Sequence, residues 1–179
     1  MVMRGNIRRK RFNMNYHNIE VDSMLNGEGL RVVLWVAGCE MRCVGCQNPE
    51  TWDKDGGIPF DLDAENELFE ALNKDYISGI TFSGGHPLME CNRPEVYRLI
   101  KKCKELYPNK TIWIYTGYTW EEIQEMPDAK AIVDQVDVLV DGKFVLYLKD
   151  NNLEWKGSSN QRVIDVKKSL DKGKIVLYN

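Results

Sequence analysis

Cys39, Cys43 and Cys46 stand in the run Gly38-Cys39-Glu40-Met41-Arg42-Cys43-Val44-Gly45-Cys46, a C-x3-C-x2-C spacing that follows directly on the apolar residues 32–37. Three thiolates on one short loop suit a metal centre that keeps a coordination position free. A [4Fe–4S] cluster normally takes four thiolates. The loop supplies three, which leaves one iron able to bind a substrate or cofactor. Such an iron could take the amino and carboxylate groups of a methionine-like ligand and hold a sulfonium beside a reducing centre. S-adenosylmethionine is the obvious molecule of that kind. The bland alternative is a structural zinc module in which His17, Cys91 or another residue completes four-fold coordination. Zinc sites commonly pair C-x2-C units, and only one such pair occurs here. An odd count of five cysteines, three of them within residues 39–46, makes a poor disulfide framework. Cys103 falls on the apolar face of an expected helix and reads as a small core residue. Cys91 follows a Gly-Gly loop and reads as a structural thiol, with a fourth-ligand role left open.

The elements that must position this loop follow from the pattern of apolar residues. Short β-rich runs alternate with helical periodicity, the signature of parallel strands joined by helices. Strands are expected at 31–37, 79–82, 111–115 and 136–140. The first is apolar nearly throughout, as a strand covered on both faces should be. Helices are expected from Asp61 or Asp63 to about Lys74, and from Asn92 and Pro94 until Pro108. Another starts at Thr119, which with Glu122 has capping-box spacing. The strand-like stretches 162–166 and 175–178 read as a closing extension. With 179 residues the chain falls short of the ~250 of a complete eight-fold barrel. The expected fold is therefore α/β, an incomplete (β/α) barrel of mainly parallel strands. The cysteines, Gly84-Gly85, Thr116-Gly117 and Asp141-Gly142-Lys143 each lie just past an expected strand, on the rim where parallel α/β folds bind ligands.

That rim offers matching group types for a methionine and a nucleoside. Gly84 and Gly85 let backbone approach a ligand closely, with carbonyls able to accept from an ammonium. Gly45 would let adenine lie against the backbone. Thr116 offers a hydroxyl, Asp141 a carboxylate for hydroxyls or a cation, and Lys143 a charge for a carboxylate. Each also has an ordinary reading as a turn former, a cap or a solvated side chain.

Formal charge is −3 and mean composition gives a pI of about 5.5, so no overall positive field draws the chain to nucleic acid or anionic membrane. Residues 1–15 carry the one basic cluster, Arg4, Arg8, Arg9, Lys10 and Arg11, and read as a flexible tail, with Met14 an alternative start. Residues 16–179 read as a single domain. The tail lacks the apolar core of a signal peptide, and no run reaches the ~18 apolar residues of a membrane span. The expected location is the cytoplasm.

The chain resembles the anaerobic ribonucleoside-triphosphate reductase-activating proteins of the radical S-adenosylmethionine superfamily, over roughly residues 14–163. The resemblance rests on Met14-Asn15-Tyr16-His17, Asn26-Gly27-Glu28-Gly29-Leu30-Arg31, the cysteine loop with Gln47-Asn48, and Ser83-Gly84-Gly85. It continues through Trp113-Ile114-Tyr115-Thr116-Gly117-Tyr118, Val138-Leu139-Val140-Asp141-Gly142-Lys143-Phe144 and Trp155-Lys156-Gly157-Ser158-Ser159-Asn160-Gln161-Arg162. The triplet points to the superfamily; the Asp-Gly-Lys-Phe and Gly-Ser-Ser-Asn-Gln strings point to this branch. The Gly-Ser-Ser-Asn-Gln string argues against a small-molecule relative such as a 7-carboxy-7-deazaguanine synthase.

What the resemblance implies is an activase with a radical S-adenosylmethionine fold, a [4Fe–4S] cluster on Cys39, Cys43 and Cys46, and S-adenosylmethionine as co-substrate. Reductive cleavage would yield a 5′-deoxyadenosyl radical that removes a Cα hydrogen from one glycine of the reductase, leaving a glycyl radical. The implied partners are that reductase and an electron donor such as flavodoxin or ferredoxin. Gly45, Cys46 and Gln47 match the adenine-side segment and Gly85 the methionine-side contact. His86 departs from the pattern, because the family usually has an acidic residue after Gly-Gly. A neutral imidazole can accept one hydrogen bond from an ammonium, or it merely shapes the loop.

Overall fold

The computed structural model describes residues 14–179. The basic cluster at 4–11 lies outside the described residues. A single seven-stranded sheet runs through the chain in the order β3-β1-β2-β4-β5-β6-β7. Its strands are β1 (Asn15–Ser23), β2 (Arg31–Val36), β3 (Ile58–Pro59), β4 (Gly79–Gly84), β5 (Thr111–Tyr115), β6 (Val138–Asp141) and β7 (Arg162–Asp165). The helices are α1 (Leu62–Leu72), α2 (Arg93–Leu106), α3 (Trp120–Gln124), α4 (Pro127–Val133) and α5 (Val166–Lys172). The middle strands β2, β4, β5 and β6 pair in parallel; β1, β3 and β7 pair antiparallel at the two sides. The α/β character and the parallel centre agree with the expectation, and the sheet is open, with β3 and β7 as its edges.

Period-two alternation divides the central strands between two environments. Val32, Leu34 and Val36 of β2, Ile80 and Phe82 of β4, and Ile112 and Ile114 of β5 join the large core beneath α1 and α2. The intervening residues face the other way: Trp113, Val138, Val140 and Val163 form a second, smaller cluster with Tyr115, Trp155 and Tyr178 against it. Thr81 and Ser83 also fall on this face, which explains two buried polar residues in a core strand.

One end of that face is closed by Arg31. Its side chain is fully buried; Nε donates to Thr81 Oγ1 (2.8 Å), Nη1 to Glu28 O (3.0 Å) and Thr111 Oγ1 (2.9 Å), and Nη2 to Ile80 O (2.8 Å) and Thr111 O (2.9 Å). The guanidinium also lies 5.3 Å from the Trp113 ring centroid. Burial pulls its pKa down to about 10, yet it stays a cation at neutral pH because every nitrogen is matched. Trp35, Ser83 and Tyr115, toward the C-terminal ends of their strands, line an open cleft instead.

Several elements differ from the sequence reading. Met14 is buried in the core and Asn15 begins β1, so the folded part starts before the residue 16 expected. The antiparallel β1 was not expected, and neither were α4 and α5. Residues 175–178 make only an isolated bridge, Leu177 to Ile164, instead of a strand. Asp61 caps α1 by accepting from Asp63 N–H and Ala64 N–H, each at 3.0 Å, and the Thr119–Glu122 capping box is present. No helix among the described residues is long and apolar enough to cross a membrane.

Candidate iron–sulfur and nucleoside site

The cysteine loop leaves β2 and is stitched into place by backbone. Gly38 N–H donates to Thr51 O (2.8 Å) and Cys39 N–H to Trp52 O (3.0 Å), tying the first cysteine to the short 3-10 turn Pro49–Thr51. From the other side Gly85 N–H donates to Val36 O (2.8 Å) and His86 N–H to Gly38 O (2.6 Å). Asn92 starts α2 without capping it, and spends its amide on Ala37 O (2.9 Å) and His86 O (3.0 Å), so the two rim loops become one unit. Arg42 and Gly45 take left-handed backbone (φ 44° and 73°), which turns the chain sharply enough to return Cys46 toward Cys43. Cys46 N–H bonds Cys43 O at 3.1 Å.

Cys39, Cys43 and Cys46 are free, partly exposed thiols that line one cleft with Gln47, Gly84, Gly85 and Thr116. Seven of the expected site residues are thus brought together. Asn48 N–H points at Cys46 Sγ (3.4 Å), and burial pushes the Cys39 thiol up against the pull of nearby backbone amides. Among the described residues, no three His, Cys, Asp or Glu side chains converge as the ligands of a single ion would. The donor set, the shared cleft wall and the N–H aimed at sulfur fit the cluster. Neither His17 nor Cys91 lines this cleft.

The glycines have tighter reasons than ligand access. A Cβ on Gly85 would sit 2.5 Å from Gly38 O and 2.9 Å from both Thr51 O and Val36 O. One on Gly84, at φ +97°, would meet the Trp35 and Val36 backbone at 2.9 Å. Gly45 does not line the cleft; its Cβ direction points at Leu146 Cδ1, 2.7 Å away. The close approach there is a side-chain packing contact.

Asp141 and Lys143 are not brought into the cleft either. Asp141 is buried and accepts from Trp120 N–H (2.7 Å), Arg162 Nε (3.0 Å) and Arg162 Nη2 (2.5 Å), so its carboxylate braces the strand end. Lys143 is exposed on a neighbouring hollow. Thr116 reaches the cleft but its hydroxyl is engaged by His86 Nε2 (2.7 Å) and Tyr118 N–H (3.1 Å).

His86 is therefore a bridge. It is buried, lies 4.6 Å from the Tyr118 ring centroid, and places Nδ1 2.9 Å from Glu40 Oε1, an electrostatic contact outside hydrogen-bond alignment. Tyr118 Oη donates to the same carboxylate at 2.6 Å. Burial opposes Glu40 ionisation, but the His86 and Tyr118 contacts outweigh it and hold its pKa down to about 2. Glu40, next to the first cysteine, thus has its carboxylate taken up by His86 and Tyr118, and it lines the outer hollow and not the cleft. No sequence spacing signals this, because the partners are 46 residues apart in the chain numbering of the contact pair.

The two branch-specific strings pack on each other and complete the wall. Gln161 Oε1 accepts from Gly157 N–H (2.9 Å) and Ser158 N–H (3.1 Å), its Nε2 donates to Gly142 O (2.9 Å), and Asn160 Nδ2 donates to Lys143 O (2.8 Å). Gly142, Phe144, Gly157 and Gln161 all line the cleft.

Residues 25–164 match the family described as a 4Fe-4S single cluster domain. Three curated relatives share one name, anaerobic ribonucleoside-triphosphate reductase-activating protein. The one from Escherichia coli (strain K12) is 42% identical over 152 residues, covering 84% of this chain and 97% of its own. That of Enterobacteria phage T4 is 42% identical over 150 residues, covering 84% and 93%. That of Vibrio cholerae is 38% identical over 150 residues, covering 83% and 96%.

Proposed function

The chain belongs to the anaerobic ribonucleoside-triphosphate reductase-activating proteins and to the 4Fe-4S single cluster domain family, and from that premise we propose that it is a radical S-adenosylmethionine activase that installs a glycyl radical on its reductase. The bound cluster would supply the electron that splits the sulfonium S–C5′ bond of S-adenosylmethionine, and the 5′-deoxyadenosyl radical released with methionine takes a Cα hydrogen from a reductase glycine.

The observation that carries this reading is the shared cleft. Three cysteines from one loop face the Gly84–Gly85 loop across a cavity at the C-terminal ends of parallel strands. The protein's own residues have defined duties in it. Cys39, Cys43 and Cys46 hold the cluster, and Gln47, Gly84 and Gly85 border the space for S-adenosylmethionine. Glu40, bound by His86 and Tyr118, ties the first cysteine's neighbour to the Gly84–Gly85 side of the rim. Thr116 and Asp141 act at one remove, by fixing His86 and the β6 end.

The open sheet reads as an incomplete barrel of the radical S-adenosylmethionine type, and its open side suits a macromolecular substrate. Val44, Leu146 and Tyr147 are exposed beside the cysteine loop, with Leu146 packed at Gly45. A glycine-bearing loop of the reductase docking there would expel water from the cleft and keep the radical from being quenched. The electron would come from a donor such as flavodoxin or ferredoxin in the cytoplasm.

The test is anaerobic reconstitution followed by mixing with the reductase, S-adenosylmethionine and dithionite. A glycyl-radical resonance on the reductase with release of 5′-deoxyadenosine supports the proposal. An iron-loaded protein that yields neither overturns it.

A further inference from the structure

Trp52 follows the 3-10 turn and lines the cleft together with Cys39, while both residues also line the hollow on its outer side. The hydrogen bond from Cys39 N–H to Trp52 O, at 3.0 Å, holds the two side by side. Arg42 steadies the ring from outside, its guanidinium 6.0 Å from the ring centroid. Yet the indole Nε1 is buried with no hydrogen-bond partner.

An indole N–H can only donate, and folded proteins rarely leave a buried donor unmatched. The other buried atoms in this condition have explanations. His17 Nε2 can be the bare nitrogen of a neutral ring, His86 Nδ1 has Glu40 Oε1 at 2.9 Å, and Asp134 Oδ1 is an acceptor on a carboxylate whose other oxygen takes Lys130 at 2.6 Å. Trp35, the other tryptophan of the cleft, donates to Glu20 Oε2 at 3.0 Å. Trp52 alone in this group is an obligate donor without a neighbour, and it stands beside the first cysteine.

We propose that the Trp52 indole N–H donates to a sulfur of the iron–sulfur group held by the cysteine loop, which makes Trp52 a positioning residue that raises the reduction potential of that group. This rests on the reading of the cysteine triplet as cluster ligands. A neutral thiol accepts weakly, whereas a cysteine thiolate or a bridging sulfide carries the negative charge that a desolvated N–H needs. The loop already aims one amide at sulfur, Asn48 N–H at Cys46 Sγ; Trp52 would supply a second donor at the opposite end of the triplet, where its carbonyl already binds Cys39 N–H. An N–H···S bond strengthens as the cluster gains an electron, so it favours the reduced state.

The test uses the reconstituted full chain labelled with indole-15N tryptophan, reduced with dithionite and examined by electron–nuclear double resonance in H2O and D2O. The expected result is a 15N coupling with an exchangeable proton on the same group. In Trp52→Phe, iron content should be unchanged, the coupling should vanish, and the midpoint should fall by about 59 mV, a tenfold change in the one-electron equilibrium. A cluster that assembles with no such coupling and an unmoved midpoint overturns this inference alone; a water holding the N–H would give that result. A protein that takes up no iron overturns both this inference and the cluster reading beneath it. If Trp52→Phe fails to fold, the labelled Trp35→Phe chain decides: a coupling that persists there supports Trp52, and one that is lost overturns the inference.

Discussion

Adding one methyl group at Gly85 should disable the site through the backbone. The Cβ of Gly85→Ala would lie 2.5 Å from Gly38 O and 2.9 Å from Thr51 O and Val36 O, all main-chain oxygens that cannot rotate away. Relief requires the Gly84–Gly85 loop to part from the cysteine loop, which stretches the Gly85 N–H to Val36 O and His86 N–H to Gly38 O bonds. Overpacking contributes about 2–3 kcal/mol, and two weakened backbone bonds about 1–2 kcal/mol more, giving a loss of about 4 kcal/mol. Gly142→Ala is the internal control: its φ of +92° is strained for a side chain, but its Cβ meets nothing closer than 3.8 Å. That strain alone costs about 1–2 kcal/mol. Urea denaturation of the cluster-free chain, followed by tryptophan fluorescence, reads both. With m of about 2 kcal/mol/M, the midpoint should drop by about 2 M for Gly85→Ala and by under about 1 M for Gly142→Ala. Equal shifts for the two variants would refute the steric argument.

Alanine at Cys39, Cys43 or Cys46 should abolish cleavage of S-adenosylmethionine, while Cys91→Ala and Cys103→Ala should retain it; 5′-deoxyadenosine release is the readout, and full activity in Cys43→Ala would be contradictory. Asp141→Asn should lose about 2 kcal/mol of stability by weakening its bonds to Arg162 and the Trp120 N–H, with S-adenosylmethionine affinity unchanged by equilibrium dialysis. Glu65 is buried on α1 and bound by Arg98 (2.6 Å) and Lys102 (2.6 Å), and although burial opposes its ionisation these pairs hold its pKa below the usual value. A depressed folded pKa means that its stabilisation is complete above the unfolded value of about 4.3 and is lost as pH falls through the folded one. Glu65→Gln should therefore be about 1–3 kcal/mol less stable than the native chain at pH 7, with the gap narrowing at pH 3 in parallel denaturation curves.

The parallel centre of the fold was legible because short β-rich runs at 31–36, 79–82 and 111–115 alternate with helical periodicity. β1 escaped notice because Asn15, His17, Asn18, Glu20 and Asp22 interrupt its apolar residues, and its pairing with β2 shifts register twice. α4 has no side-chain cap to mark its start. That the three cysteines share one cleft was legible from spacing alone, since residues on one short loop are held together by the chain. The partners of Thr116 and Asp141 were not legible, for the opposite reason: His86 and Arg162 lie 30 and 21 residues away. Distant chain segments decide whether a rim hydroxyl or carboxylate is free, and no local pattern reports that. Glu40 and Trp52 passed unnoticed likewise, as a charge and an indole in a loop carry no periodic signal.

The claim on which the account turns is that the cysteine loop leaves one iron open to an incoming ligand. Reconstituted, reduced protein mixed with S-adenosylmethionine labelled at its amino nitrogen and carboxylate oxygen tests this directly by electron–nuclear double resonance. Couplings from both labels to the cluster are predicted. A cluster that shows neither, with all four irons held by protein side chains, would contradict it.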